Sequence, residues 1–214
     1  MLLSRRLVLS GLAASAIIGP AGAQVRPDFY PIPVELLGGL DRLNGRVSLG
    51  SRNPDVTIVE FFDYNCGFCR RTARDVRPLL QSEPDLRFML VNYAVLGLPS
   101  IMATRVALAF SRQKADRYLD FHEQMFAQNG VRDAEMALAI AARLGADRKR
   151  LLADADSDAV TEAMKAAARL GESFAFQATP SFLVGREGFS GALTLEQKRA
   201  AIRAFRQCEQ TSCA

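Results

Sequence analysis

The sequence predicts an α/β fold, with a central mixed sheet flanked by helices and interrupted by a helical insertion. Three observations carry that prediction. A strand–helix–strand pattern occupies residues 56–93. A block rich in Ala, Leu, Arg and Met, poor in β-branched residues, fills about 97–172. Short strand-like runs and a last amphipathic helix follow over 181–207. The 214 residues, 49% hydrophobic and 23% charged, suffice for one well-buried domain and are short for two.

The N-terminus reads as a targeting segment. Arg5 and Arg6 precede an apolar run from Leu7 to Ile18, Gly19-Pro20 breaks it, and Ala21-Gly22-Ala23 has the small-x-small form of a cleavage site. The run is short for a bilayer core of ~30 Å, so residues 1–23 are expected to be a signal peptide and Gln24 the mature start; an uncleaved anchor is the alternative. Ser4-Arg5-Arg6-Leu7-Val8-Leu9 also resembles a twin-arginine export signal, short of the full consensus, and the ordinary secretory route stays open beside it. Losing Arg5 and Arg6 lowers the formal charge from +4 to +2. With no Lys/Arg run and no aromatic interleaving, nucleic acid is not an expected partner. Four cysteines in an exported chain fit an oxidising compartment.

Residues 24–50, with Pro27, Pro31 and Pro33 before Val34-Glu35-Leu36-Leu37, read as a loose entry segment holding a short helix. The domain proper spans 51–207. Asn53-Pro54-Asp55 is a turn. Val56–Phe62 is β-branched and aromatic and reads as a buried strand. After the loop Asp63-Tyr64-Asn65, Cys69, Ala73, Val76 and Leu80 fall at helical spacing, with Pro78 expected to kink or shorten the helix. Leu86–Tyr93 is the next buried strand, parallel to the first. Helices are expected over Pro99–Arg112, Asp116–Gln128, Asp133–Leu144 and, broken, Asp147–Leu170. Ser181–Val184 and Gly188–Ser190 form a hairpin, and Thr194-Leu195-Glu196-Gln197 opens a last helix with a capping-box pattern. Residues 208–214 are a tail.

Cys66-Gly67-Phe68-Cys69 carries the chemistry. A thiol attacks as thiolate, and a free cysteine of pKa ~8.5 is mostly protonated at neutral pH. Cys66 stands just before a predicted helix, where unpaired N–H groups and the positive dipole end stabilise a thiolate. Cys66 is therefore expected to be the exposed nucleophile and Cys69 the more buried resolving thiol. A structural disulfide and half of a zinc site are the alternatives. Zinc would need Cys208 and Cys213, which lie in a tail after the last helix. About 110 residues after the dithiol, Thr179-Pro180 stands immediately before a strand.

The run Val59-Glu60-Phe61-Phe62-Asp63-Tyr64-Asn65-Cys66-Gly67-Phe68-Cys69, with the distant Thr179-Pro180, resembles the exported DsbA-type members of the thioredoxin superfamily. The likeness is greatest to the branch of ScsC and Com1-type proteins and covers about residues 50–207, the helical insertion included. It implies a thioredoxin-like fold, a cis Pro180 against the dithiol, and Thr179 offering its backbone to a substrate with its hydroxyl near Cys66. It implies that Glu60, a carboxyl inside an apolar strand, relays the proton of Cys69. Phe68 and Tyr64 are read as an exposed apolar lip that meets substrates. The expected activity is thiol–disulfide exchange on cysteines of exported proteins in the periplasm, with a membrane redox partner and no organic cofactor. The oligomeric state is not legible.

Two departures from the family matter. Phe68 stands where the strongly oxidising members carry histidine, so a less acidic Cys66 and a milder disulfide are expected. Asn92 stands for the lysine that often faces the buried acid, which weakens a charged relay pair. Arg70 and Arg71 read as solvated helix-surface residues and His122 as a packing or surface histidine. Cys208 and Cys213 are candidates for a local disulfide, an auxiliary redox pair or a soft metal site. The competing function is copper tolerance, with Cu(I) on Cys66 and Cys69; a redox-inert peptide-binding module is a third. Both directions of electron flow stay open, Gly-Phe between the cysteines and Thr before the proline leaning to reduction or isomerisation.

Overall fold

The computed structural model describes residues 27–213. The expected signal peptide, 1–23, lies outside the described residues. The chain enters through a two-residue strand, β1 (Tyr30–Pro31), a helix, α1 (Val34–Asp41), and a short strand, β2 (Val47–Gly50). Neither strand is evident in the sequence: each pairs only with a segment far along the chain, and Pro31 is tolerated because β1 lies at the sheet edge.

The strand–helix–strand unit follows as β3 (Val56–Phe62), α2 (Gly67–Thr72), a 3₁₀ turn (Ala73–Asp75), α3 (Val76–Ser82) and β4 (Leu86–Asn92). Pro78 accounts for the break. It has no N–H for the Arg74 carbonyl, and its ring crowds that carbonyl, so regular helix is lost one turn upstream of the proline.

The insertion comprises α4 (Leu98–Gln113), α5 (Tyr118–Ala127), α6 (Ala134–Arg143), α7 (Arg148–Ala155) and α8 (Asp158–Ser173). Asp133, Asp147 and Ser157 cap α6, α7 and α8 by accepting from Met136, Arg150 and Val160 N–H groups. Ser157 thus marks the expected break in the last of these helical stretches.

The chain returns as β5 (Ser181–Val184), β6 (Glu187–Ser190) and α9 (Leu195–Cys208). The two-residue β5–β6 loop has φ +58° at Gly185 and no positive φ at Arg186, the pattern of a type II′ turn. A Cβ on Gly185 would also collide with the Phe205 ring. Thr194 and Gln197 complete the capping box of α9.

The sheet order is β1-β6-β5-β3-β4-β2, with β3 and β4 parallel and the other pairs antiparallel. Alternation along the strands sends Ile58, Phe62, Phe88, Leu90 and Phe182 to one face, against Cys69, Val76 and Leu79, Ile202 of α9, and α4–α7 of the insertion. Val59, Phe61, Met89, Val91 and Leu183 go to the other, against Ala167, Leu170 and Phe174. Each such side chain contributes roughly 1.5–3 kcal/mol by leaving water. Buried on both faces, β3 is a fixed platform for the residues that follow it.

Candidate active site

Cys66 is the N-cap of α2, with extended backbone, and its Sγ accepts from the Cys69 N–H at 3.2 Å. Both Cys66 and Cys69 are free thiols. The Cys66 pKa is lowered to about 6. The Cys69 side chain hydrogen-bonded to it is the largest cause, burial opposes it, and the Thr179 side chain and the Cys69 and Phe68 N–H groups add to the lowering. Burial pushes Cys69 far up, reinforced by its hydrogen bond to Cys66 and by the negative charges of Glu60 and Cys66. The expected order of burial is present, but Cys66 is not an exposed residue: it keeps 5% of its surface and Cys69 none. The helix start that favours the thiolate also encloses it.

The Thr179–Pro180 peptide is cis. The thiol of Cys66 donates to the Thr179 carbonyl at 3.0 Å. That bond belongs to the protonated form, since a thiolate has nothing to donate.

Glu60, on β3, is buried, and its Oε1 accepts from the Thr72 hydroxyl at 2.7 Å. Its pKa is raised to about 7: burial is the largest cause, the Lys198 charge and the Thr72 hydroxyl pull it down, and the charges of Asp75 and Cys66 push it up. Lys198 is the cation that sequence reasoning missed. It rises from α9, is fully buried, bonds Asp75 Oδ2 at 2.8 Å, and lies 5.4 Å from the centre of the Phe182 ring. Asn92 stands where a family lysine was expected, yet a charged neighbour for Glu60 is present from another element. Asn92 itself donates to the Tyr118 hydroxyl at 2.8 Å.

Tyr64 corrects the expected lip. It is 1% exposed, its hydroxyl pairs with that of Tyr118 at 3.3 Å, and its ring packs on Phe62 and Phe126. Glu60, Phe62 and Tyr64 are spaced by two, so the face of β3 continues inward beyond its last residue. Phe68 is exposed, with the Arg71 guanidinium 4.3 Å from its ring centre. Arg70 reaches Asn129 Oδ1 at 3.2 Å. His122 is a packing histidine, wholly buried against Phe62, Tyr64 and Phe126, and burial lowers its pKa to about 3.

Cys208 and Cys213 are joined as a disulfide, and the Thr211 N–H donates to a Glu187 carboxylate oxygen, which folds the tail onto β6. Among the described residues no group of three or more His, Cys, Asp or Glu is arranged to hold a metal. Cu(I) on Cys66 and Cys69 would have those two thiols alone.

A thiol at a helix start, a buried partner three residues on and an X–Pro loop against the first sulfur define a thiol–disulfide exchange site on a thioredoxin-like fold. A family model described as Thioredoxin matches residues 43–204, and the chain belongs to that family. It is 32% identical to a thioredoxin-like oxidoreductase from Silicibacter pomeroyi DSS-3, with a TM-score of 0.73 over 79% of this chain and 97% of the other. The catalytic domain of Proteus mirabilis ScsC shares the fold, with a TM-score of 0.71 at 17% identity over 80% of this chain and 97% of that one. Disulfide bond formation protein D of Bacillus subtilis is 30% identical over 96 residues, 43% of each chain. The chain spans less than half the length of the curated relatives it matches.

Proposed function

We propose that the protein is an exported thiol–disulfide oxidoreductase that acts on cysteines of other proteins in the periplasm. The observation that carries this reading is the Cys66 sulfur at the start of α2, with its pKa lowered to about 6 beside a free Cys69 thiol. At neutral pH the first sulfur is a thiolate and the second a thiol, which is the division of labour that exchange requires.

In the reducing direction the Cys66 thiolate attacks one sulfur of a substrate disulfide. A Cys66–substrate disulfide forms, and the other substrate sulfur leaves as a thiolate and takes up a proton. Glu60, half ionised near neutrality, accepts the Cys69 proton, and the Cys69 sulfur attacks Cys66. The substrate sulfur leaves, Cys66–Cys69 is oxidised, and the substrate has gained two electrons and two protons. The oxidising direction is the same sequence reversed. Thr179 and Pro180 border the attacked sulfur and hold the substrate backbone, and Phe68 forms part of the apolar rim. Regeneration falls to a membrane redox partner, and the disulfide is milder than in family members that carry an imidazolium where Phe68 stands.

Equilibration in glutathione buffers, read by alkylation of free thiols, tests the reading. Wild type should interconvert between dithiol and disulfide, Cys66→Ser should abolish exchange, and Cys69→Ser should trap a mixed disulfide. Full exchange by Cys66→Ser overturns it.

A further inference from the structure

The second half of α4 and the first half of α8 meet the loop between α1 and β2 around a cavity of about 550 Å³. Small-molecule sites span about 300–1,000 Å³. The floor of this one is apolar. Leu108, Val160 and Ala163 pack there as a cluster separate from the two sheet faces. Gly45 closes one wall with φ +82°, so near the floor that a Cβ would crowd Leu108 and Ala163. The rim is cationic. Arg42 at the end of α1, Arg112 in the last turn of α4 and Arg169 on α8 reach it from three elements. Leu108 and Arg112 are four residues apart, so α4 presents floor and rim on one face; Ala166 and Arg169, three apart, do the same on α8.

All three arginines are exposed, and none makes a side-chain hydrogen bond or ion pair among the described residues. Elsewhere on α4, by contrast, Arg105 reaches Asp156 at 3.0 Å. Asn44, also on the rim, has a side-chain amide without a partner among the described residues. Glu162 is the carboxylate that lines the cavity, and Lys165 already holds it at 2.9 Å. A single exposed arginine is an ordinary solvated side chain. Three that converge over an apolar floor bring like charges together against a concave, low-dielectric wall, which focuses a positive potential there.

We propose that this cavity binds a soluble amphipathic organic oxyanion, a phosphate or carboxylate head on an apolar body. The guanidinium groups take the head, for which their planar fork of donors is suited. The body lies on Leu108, Val160 and Ala163. An inorganic anion would leave that floor wet, and a neutral apolar molecule would leave the arginines unmatched. The site stands apart from the exchange chemistry. Ser100, in the first turn of α4, donates to an oxygen of the buried Asp63 carboxylate at 2.6 Å, close to Cys66 in the chain. From Ser100 to Arg112 the helix rises about 18 Å. Occupancy of the cavity therefore leaves the Cys66 thiolate undisturbed.

Titration calorimetry of the full chain with decyl phosphate, below its micelle concentration and at low salt, tests this. One saturable site is expected, weakened by added salt. Decanol and inorganic phosphate, each matching half of the site, should bind about tenfold more weakly or worse. Arg42→Gln/Arg169→Gln should weaken decyl phosphate by about tenfold or more, the scale of a lost charge-assisted bond. Arg42→Lys/Arg169→Lys, which keeps the charge, should recover part of that loss. Arg143→Gln/Arg148→Gln removes the same charge from exposed positions outside the cavity and should bind as wild type does. The Cys66 titration midpoint should be the same with and without the probe. The proposal is overturned by no saturable binding, by decanol binding as tightly as the phosphate, or by equal loss in the two glutamine pairs. A Cys66 midpoint that moves with the probe, or binding to anionic phospholipid vesicles alone, overturns it as well.

Discussion

Lys198, with no side-chain surface exposed, bonds Asp75 Oδ2 at 2.8 Å, and its charge opposes the burial that raises Glu60. Asp75 keeps 20% of its side-chain surface, so the pair links a buried carboxyl to the edge of solvent. Replacing the ammonium by a methyl-thioether of similar length keeps the packing on Phe182 and removes the charge. Lys198→Met should therefore move the Glu60 titration above about 7 and carry the pH midpoint of the resolving step with it. Release of a chromophoric thiol from the Cys66 mixed disulfide, followed against pH, measures this. An unmoved midpoint would show that Lys198 serves packing alone. Removing one partner of a buried pair also costs about 3–5 kcal/mol of stability, which denaturant unfolding reads separately.

Glu60 gives a stability signature of definite sign. Its folded pKa, about 7, lies above the ordinary 4.5. Between those values the folded state binds more protons than the unfolded one, so the contribution is complete below about pH 4.5 and is lost as pH rises through 7. Stability should fall by up to about 1.4 kcal/mol per pH unit across that window. Glu60→Gln should abolish the fall and be the more stable protein at pH 8, while resolving mixed disulfides more slowly. Urea unfolding at several pH values, with the dithiol reduced throughout, checks both parts.

His122 produces the opposite slope further into acid. Its pKa falls from 6.5 to about 3 because, among the described residues, no partner offsets its burial among Phe62, Tyr64 and Phe126. Below pH 6.5 the unfolded state takes up the proton that the folded state refuses. Stability should decline by up to about 1.4 kcal/mol for each pH unit lost until about pH 3. His122→Phe keeps an aromatic ring in the cage and should remove that decline, leaving wild type and variant closest above pH 7. A variant as acid-sensitive as wild type at pH 4 would exclude His122 as the cause.

Much of this was legible because the relevant patterns are local. Val56–Phe62 and Ser181–Val184 have their expected bounds, each being a run of residues suited to burial on a sheet. The Thr194–Gln197 capping box lies within one turn. What stayed hidden depends on distant elements meeting. Lys198 sits among Glu, Gln and Arg on an amphipathic helix, where a cation reads as solvated; only the packing of α9 on Phe182 and Thr72 buries it. Asp63 read as loop because its donors come from residues 95, 96 and 100. Tyr64 could have been placed from the two-residue spacing of Glu60, Phe62 and Tyr64, had its nearness to Cys66 not suggested the surface.

The acidity of Cys66 should set the redox equilibrium. Thiolate absorbance of the reduced protein should rise with a midpoint near 6, a step that Cys66→Ser removes. The folded value lies below the unfolded one. The thiolate's contribution to stability is therefore complete above about pH 9 and is lost as pH falls through 6, so the reduced form should gain on the disulfide form as pH rises from about 6 to about 9. Whatever stabilises the thiolate stabilises the dithiol and makes the disulfide more oxidising. An imidazolium at position 68 would do so, where the present ring instead lies against Arg71. Phe68→His should lower the Cys66 midpoint and shift the glutathione equilibrium toward the reduced protein, by about tenfold for each pH unit of midpoint moved. Both quantities come from one preparation, by absorbance and by alkylation, and must move together. A lowered midpoint with an unchanged equilibrium would mean that the disulfide form is stabilised equally, and that thiolate electrostatics do not set the redox balance of this site.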